Sequence, residues 1–178
     1  MFDPTAFENI RVVLEGTFYD MDLAGNLIII DRNDLINTAK LSRTYDFSFR
    51  LTASQQVIEP KITCKVTLSA SLENLAAELL SNPLLMREAG CVMQIEYMFE
   101  YEEDEFTLKQ IEKILRTWKN TTYKQMITYE PLKKRRKIKH HELISCDHIL
   151  KEEDMNELPD IANQIMSTLL QIEKVINR

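Results

Sequence analysis

The sequence predicts an α+β fold: a mainly antiparallel sheet of about six or seven strands with helices packed on one face, in two layers. Three segments alternate apolar and polar residues almost without a break. Tyr45, Phe47, Phe49 and Leu51 oppose Asp46, Ser48, Arg50 and Thr52. Ile62, Cys64, Val66 and Leu68 oppose Thr63, Lys65, Thr67 and Ser69. Cys91, Met93, Ile95, Tyr97, Phe99 and Tyr101 oppose Val92, Gln94, Glu96, Met98, Glu100 and Glu102. Successive strand side chains point to opposite sides, so each segment reads as a strand with one greased and one wet face. A sheet with one wet face is usually antiparallel, because parallel sheets are covered on both sides. Helical patterns are too few to supply a crossover at every step, which also excludes the doubly wound α/β scaffolds.

The elements follow in order. Asn9–Tyr19 reads as a first strand, and Asp22–Asn26 as a turn into a strand at Leu27–Asp31. A short helical turn is expected at Asp34–Ala39, before the Tyr45 and Ile62 strands. Ser71 caps a helix whose apolar face is Leu72, Leu75, Ala76, Leu79 and Leu80. The Cys91 strand runs into an acidic stretch, Glu100–Glu105. Thr107 and Gln110 have capping-box spacing and open a helix with the stripe Leu108, Ile111, Ile114, Leu115 and Trp118. Tyr123–Glu130 and Lys137–Ser145 read as a last hairpin, and a helix at Leu158–Asn177 closes the chain, with Pro159 in its first turn. No composition shift divides the chain, so residues 1–178 are expected to form a single domain.

Composition bounds the function. The 178 residues are 44% apolar and 28% charged, ordinary for a folded domain. The first ten residues have neither a basic nor an apolar run, so no secretory signal is expected. The longest aliphatic run, Leu27–Ile30, is too short to span a bilayer. Cys64, Cys91 and Cys146 are odd in number and have no paired spacing, which points to a reduced, cytoplasmic protein. There are 3 glycines, where average usage would give about twelve. None has a glycine neighbour at the spacing that lets backbone N–H groups cradle a phosphate. No nucleotide cofactor, and no other cofactor, is expected.

Four constellations invite chemistry. Asp20–Asp31 partly matches a calcium loop through Asp20, Asp22, Gly25 and Leu27, but Ala24 and Asp31 fail as ligands, and a hairpin turn is the better reading. His140, His141, Cys146 and His148 lie within nine residues. They are the candidates for a metal or a Cys–His nucleophile, but ligand-pair spacing is absent and ordinary strand residues are the default. Lys133, Lys134, Arg135, Arg136, Lys137 and Lys139 form a basic contact patch in a chain of net charge −6. That patch can grip phosphates, pair with the acidic stretch, or keep an edge hairpin from aggregating. Finally, the last helix carries Leu158, Ala162, Ile165, Leu169, Ile172 and Ile176, a stripe able to serve the sheet or a second subunit.

The opening, FDPTAFENIRVVLEGTFYDMD, with DRNDL and LSRTYDFSFRL, resembles a small family of uncharacterised proteins from Bacillus-type bacteria. The resemblance covers the first third of the chain and includes no catalytic motif. It implies a bacterial cytoplasmic protein and supplies no activity, cofactor or site.

The residues support a non-enzymatic binding or regulatory module acting through protein–protein contact, with no membrane partner. Its contact surface is the exposed sheet face: Arg50, Thr52, Lys65, Thr67, Gln94, Glu96 and Met98. Self-association through helix 158–176 would make it a homodimer. The alternatives are a nucleic-acid-binding protein using segment 133–139 and a metalloprotein or enzyme using the His140–His148 cluster.

Overall fold

A computed structural model describes residues 6–52, 62–80, 87–102, 104–119, 121–129 and 137–177. The first described element is a helix where the sequence predicts a strand. Helix α1 spans Ala6–Leu23. Its β-branched residues favour extended chain and Gly16 weakens a helix locally, but Phe7, Ile10, Leu14 and Phe18 fall on one helical face, and all are buried. Arg11 adds ion pairs to Glu8 and Glu15 one turn either side. Tertiary burial overrides local propensity here.

The helix ends in a Schellman turn. The Gly25 N–H donates to the Asp22 carbonyl and the Asn26 N–H to the Met21 carbonyl, with Gly25 at φ 75°. Asp22 spends its carboxylate on the Ile29 N–H at 3.2 Å. The partial calcium-loop match is thus a helix stop, not the hairpin turn expected, because a helix and not a strand precedes it.

Strand β1 (Leu27–Asn37) pairs with β2 (Ser42–Leu51). The helical turn expected at Asp34–Ala39 is absent, because β1 continues to Asn37. A two-pronged bond from Arg43 to Asp34, 3.0 and 2.7 Å, holds that stretch extended against β2. Next come β3 (Ile62–Ala70), α2 (Leu72–Leu79), β4 (Val92–Glu102), α3 (Glu105–Leu115), β5 (Thr121–Tyr129), β6 (Lys137–Cys146), a 3₁₀ turn (Glu152–Glu157) and α4 (Leu158–Ile176). The six strands form one sheet in the order β1-β2-β3-β4-β6-β5, every pair antiparallel. This is the two-layer α+β arrangement that the alternation predicts.

Ser71 caps α2 as expected, its hydroxyl accepting from the Asn74 N–H. The cap of α3 is Asp104 rather than Thr107. Its carboxylate accepts from the Phe106 and Thr107 N–H groups at 3.3 and 2.9 Å.

All four helices feed one core against one side of the sheet. Phe18 of α1 sits 4.9 Å from the rings of both Phe47 and Phe49. On α4, Leu158, Ala162, Ile165, Leu169 and Ile172 are all buried, so the long stripe is seated on the sheet. Leu170 is the large apolar side chain that helix leaves exposed. None of the helices is long and apolar enough to cross a membrane, among the described residues.

Candidate functional site

The side of the sheet away from the helices is the candidate site. Register turns the alternating residues into rows that cross several strands. Thr67 lies between Asp46 and Gln94, and Gln94 beside Ser145. Lys65 lies between Ser48 and Glu96, and Glu96 beside Leu143. Met126, His141, Met98 and Thr63 make a third row, across β5, β6, β4 and β3. The predicted face residues Arg50, Thr52, Lys65, Thr67, Gln94, Glu96 and Met98 are all half-buried. Neighbouring side chains shield one another, and among the described residues no helix covers them.

Three close polar pairs lie on this face, while Arg50, on the same face, keeps a buried Nε with no hydrogen-bond partner among the described residues. Lys65 Nζ is 3.2 Å from Asp46 Oδ1, which also accepts from Asn33 at 3.1 Å. Lys139 Nζ is 3.3 Å from Glu100 Oε1, and His141 Nε2 is 2.7 Å from Glu96 Oε2. Each pair joins neighbouring strands or near neighbours on one face, as cross-strand attraction favours. A hollow of about 310 Å³ opens beside the Lys139–Glu100 pair, lined by these two and by Thr63, Met98, Phe99, Met126, Thr128, His140 and His141. Two unbranched thioether side chains on its walls give it an adaptable apolar surface.

The histidine cluster is dispersed. His140 lies on the helix side of β6 and is buried, while His141 points to the open side. Cys146 is six positions from His140 along the same strand, opposite Thr121, whereas His140 is opposite Ile127. His148 is exposed beyond the strand. Among the described residues, no three or more His, Cys, Asp or Glu side chains are grouped to hold a metal ion. Burial pushes the Cys146 thiol up to about 11 and the Cys91 thiol up to about 12, and holds Cys64 well above its ordinary value. At neutral pH all three are thiols rather than nucleophilic thiolates.

His140 belongs instead to a polar knot at the margin of the core, made with buried Tyr101 and Glu142 and exposed Gln125. Its Nδ1 is 3.4 Å from the Tyr101 hydroxyl, and its Nε2 is 3.2 Å from Glu142 Oε2 and 2.9 Å from Gln125 Nε2. Glu142 and Gln125 also border a hollow of about 260 Å³ beside Glu112, Leu115 and Arg116 of α3. The knot satisfies polar groups that burial would otherwise penalise.

Of the basic patch, Lys139 is placed on the open face, and Lys137 lies opposite Glu102 in the ladder. Lys133, Lys134, Arg135 and Arg136 lie outside the described residues. Sequence reasoning missed Met126, Thr128 and the partners of His140. Period two on β5 does put Lys124, Met126 and Thr128 on one side. Their place beside Met98 depends on β6 entering the sheet between β4 and β5, which no local pattern encodes.

Comparison with protein-family models, with curated proteins and with solved structures finds no match to this chain.

Proposed function

We propose that the protein is a non-enzymatic binding module that docks a segment of another protein on its open sheet face, inside a bacterial cell. The observation that carries this reading is the Met98–Met126 hollow set beside paired polar groups, Lys139 with Glu100 and His141 with Glu96. Lysines already engaged by carboxylates have little to offer a phosphate backbone, whose binding rests on free cations. A polar surface around a soft apolar hollow suits an extended polypeptide segment that sets one apolar side chain between the methionines.

The test is site-specific photocrosslinking in host cells. A benzophenone side chain replaces Met98 on the open face, or Lys109 on the outer side of α3 as control. The expected result is one discrete protein adduct from position 98, suppressed when Met126 is also changed to Glu, and none from position 109. Equal labelling at both positions, or no adduct from 98, would overturn the proposal. A titration with labelled single- and double-stranded oligonucleotides at two salt concentrations probes the nucleic-acid reading. Steep salt-dependent binding would favour phosphate contact instead.

A further inference from the structure

We propose that β1 is a self-pairing edge: two copies of the chain join antiparallel through β1, centred on Asn33, and merge their sheets. This rests on a surface different from the open face and stands independently of the docking proposal.

Strand β1 is the outermost strand at one end of the sheet and is 11 residues long. An edge strand offers a row of backbone N–H and C=O groups to any second strand, and proteins usually blunt it with lysine, proline or a covering element. Leu27–Asn37 contains neither lysine nor proline. A register shift between Ile29 and Asp31 bends its first third, while Asp31–Asn37 is regular. Seven of the twelve large apolar side chains left exposed among the described residues come from the stretch between Val12 and Leu41. Ile36 is 70% exposed, Leu35 58% and Ile30 47%. Above the same edge, Tyr19 of α1 reaches Arg32 with its hydroxyl at 3.2 Å.

The sequence of β1 also fits itself. A two-fold axis perpendicular to the sheet keeps each open face on the same side, so one residue must oppose its own copy. Centred on Arg32 or Asp34, the pairing sets like charges together. Centred on Asn33, it sets Arg32 opposite Asp34 of the second copy and brings Ile36 to the end of that copy's regular stretch, next to its irregular Ile30. Both charged residues lie on the helix side, where Arg32 already bonds Glu15 and Asp34 already bonds Arg43. Joining copies therefore gives an unbroken series of alternating charges: Glu15, Arg32, then Asp34 and Arg43 of the second copy.

Light scattering on the purified chain and on Ile36→Glu tests this. The expected mass is twice the 20.9 kDa of one chain. Ile36→Glu should weaken association at least about tenfold with unchanged far-ultraviolet circular dichroism, since that side chain is exposed. Asn33→Cys should give an intersubunit disulfide under mild oxidation, because its two copies face each other within disulfide reach. Leu35→Cys should not, because its copies lie about 13 Å apart along the strands. A monomer at tens of micromolar, a dimer indifferent to Ile36→Glu, or crosslinking from Leu35→Cys in place of Asn33→Cys would overturn the assignment.

Discussion

Gly90 and Gly16 show how differently one residue type is constrained. Gly90 has φ 135°, and a Cβ there would stand 2.0 Å from the Leu150 carbonyl oxygen. That closeness comes from the bridge in which Cys91 and Leu150 exchange backbone hydrogen bonds of 3.0 and 2.7 Å. Gly90→Ala must break this bridge or strain the backbone, so it should lower the thermal midpoint sharply. Gly16 lies on the outer face of α1 with nothing within 4 Å of a built Cβ. Gly16→Ala should therefore raise stability by about 0.5–1 kcal/mol, measured by urea unfolding. Neither result could be anticipated from sequence, where the glycines count only by their scarcity and by their lack of phosphate-loop spacing. The ion network beneath α1 was equally hidden, because it joins Glu8, Arg43 and Asp34 from three elements.

That network gives a pH dependence with a definite sign. Burial raises the Glu8 carboxyl, but hydrogen bonds and charge from Arg11 and Arg43 outweigh it, leaving it below its ordinary 4.5. The hydrogen bond from Arg43 holds Asp34 below its ordinary 3.8. Carboxylates depressed in the folded state stabilise it fully above their unfolded values and lose that effect as pH falls through the lowered ones. Arg43→Gln should thus be less stable than the parent at pH 7, and the gap should close below the ordinary carboxylate range. An unfolding series from pH 7 to pH 2 reads this directly; a gap constant across it would rule the network out as its source.

Among the elements, α1 is the instructive one. Residues 11–19 contain two valines, a threonine, a phenylalanine and a tyrosine, all at home in strands. The helical signal was present as well, at Phe7, Ile10, Leu14 and Phe18. It is decided by what lies beneath: Phe18 fills the gap between the Phe47 and Phe49 rings. Phe18→Ala should cost about 3–5 kcal/mol in chemical unfolding, as deletion of a buried aromatic does. A cost near zero would mean that α1 is not seated on β2. The strands, by contrast, were legible because period two over eight or more residues has no competing reading. The extent of β1 was not, since an edge strand exposed on both sides has no alternation to display. The cap of α3 was misplaced by three residues because Thr107 imitates a cap, whereas Asp104 has the extended backbone and both bonds.

For the molecule as a whole, the alternating residues determined the layer architecture, and strand order determined the candidate site. A sheet greased on one side needs a roof on that side only, so the α+β class followed from Tyr45, Ile62, Cys91 and their successors. The hollow between Met98 and Met126 needed β6 between β4 and β5, a choice made by the core as a unit. The histidines illustrate the same limit. Their adjacency in sequence hinted at a cluster, yet consecutive strand residues face opposite ways, and His140 and His141 are separated by the sheet itself.

The most direct check on an uncovered face is thiol labelling of single cysteines placed along β3, with Cys64 as an internal reference for a buried position. Thr63→Cys, Lys65→Cys and Thr67→Cys should react readily in the native protein, while Val66→Cys and Leu68→Cys stay as protected as Cys64. Protection at every position, open side included, would mean that the face is already covered and would contradict a docking surface there.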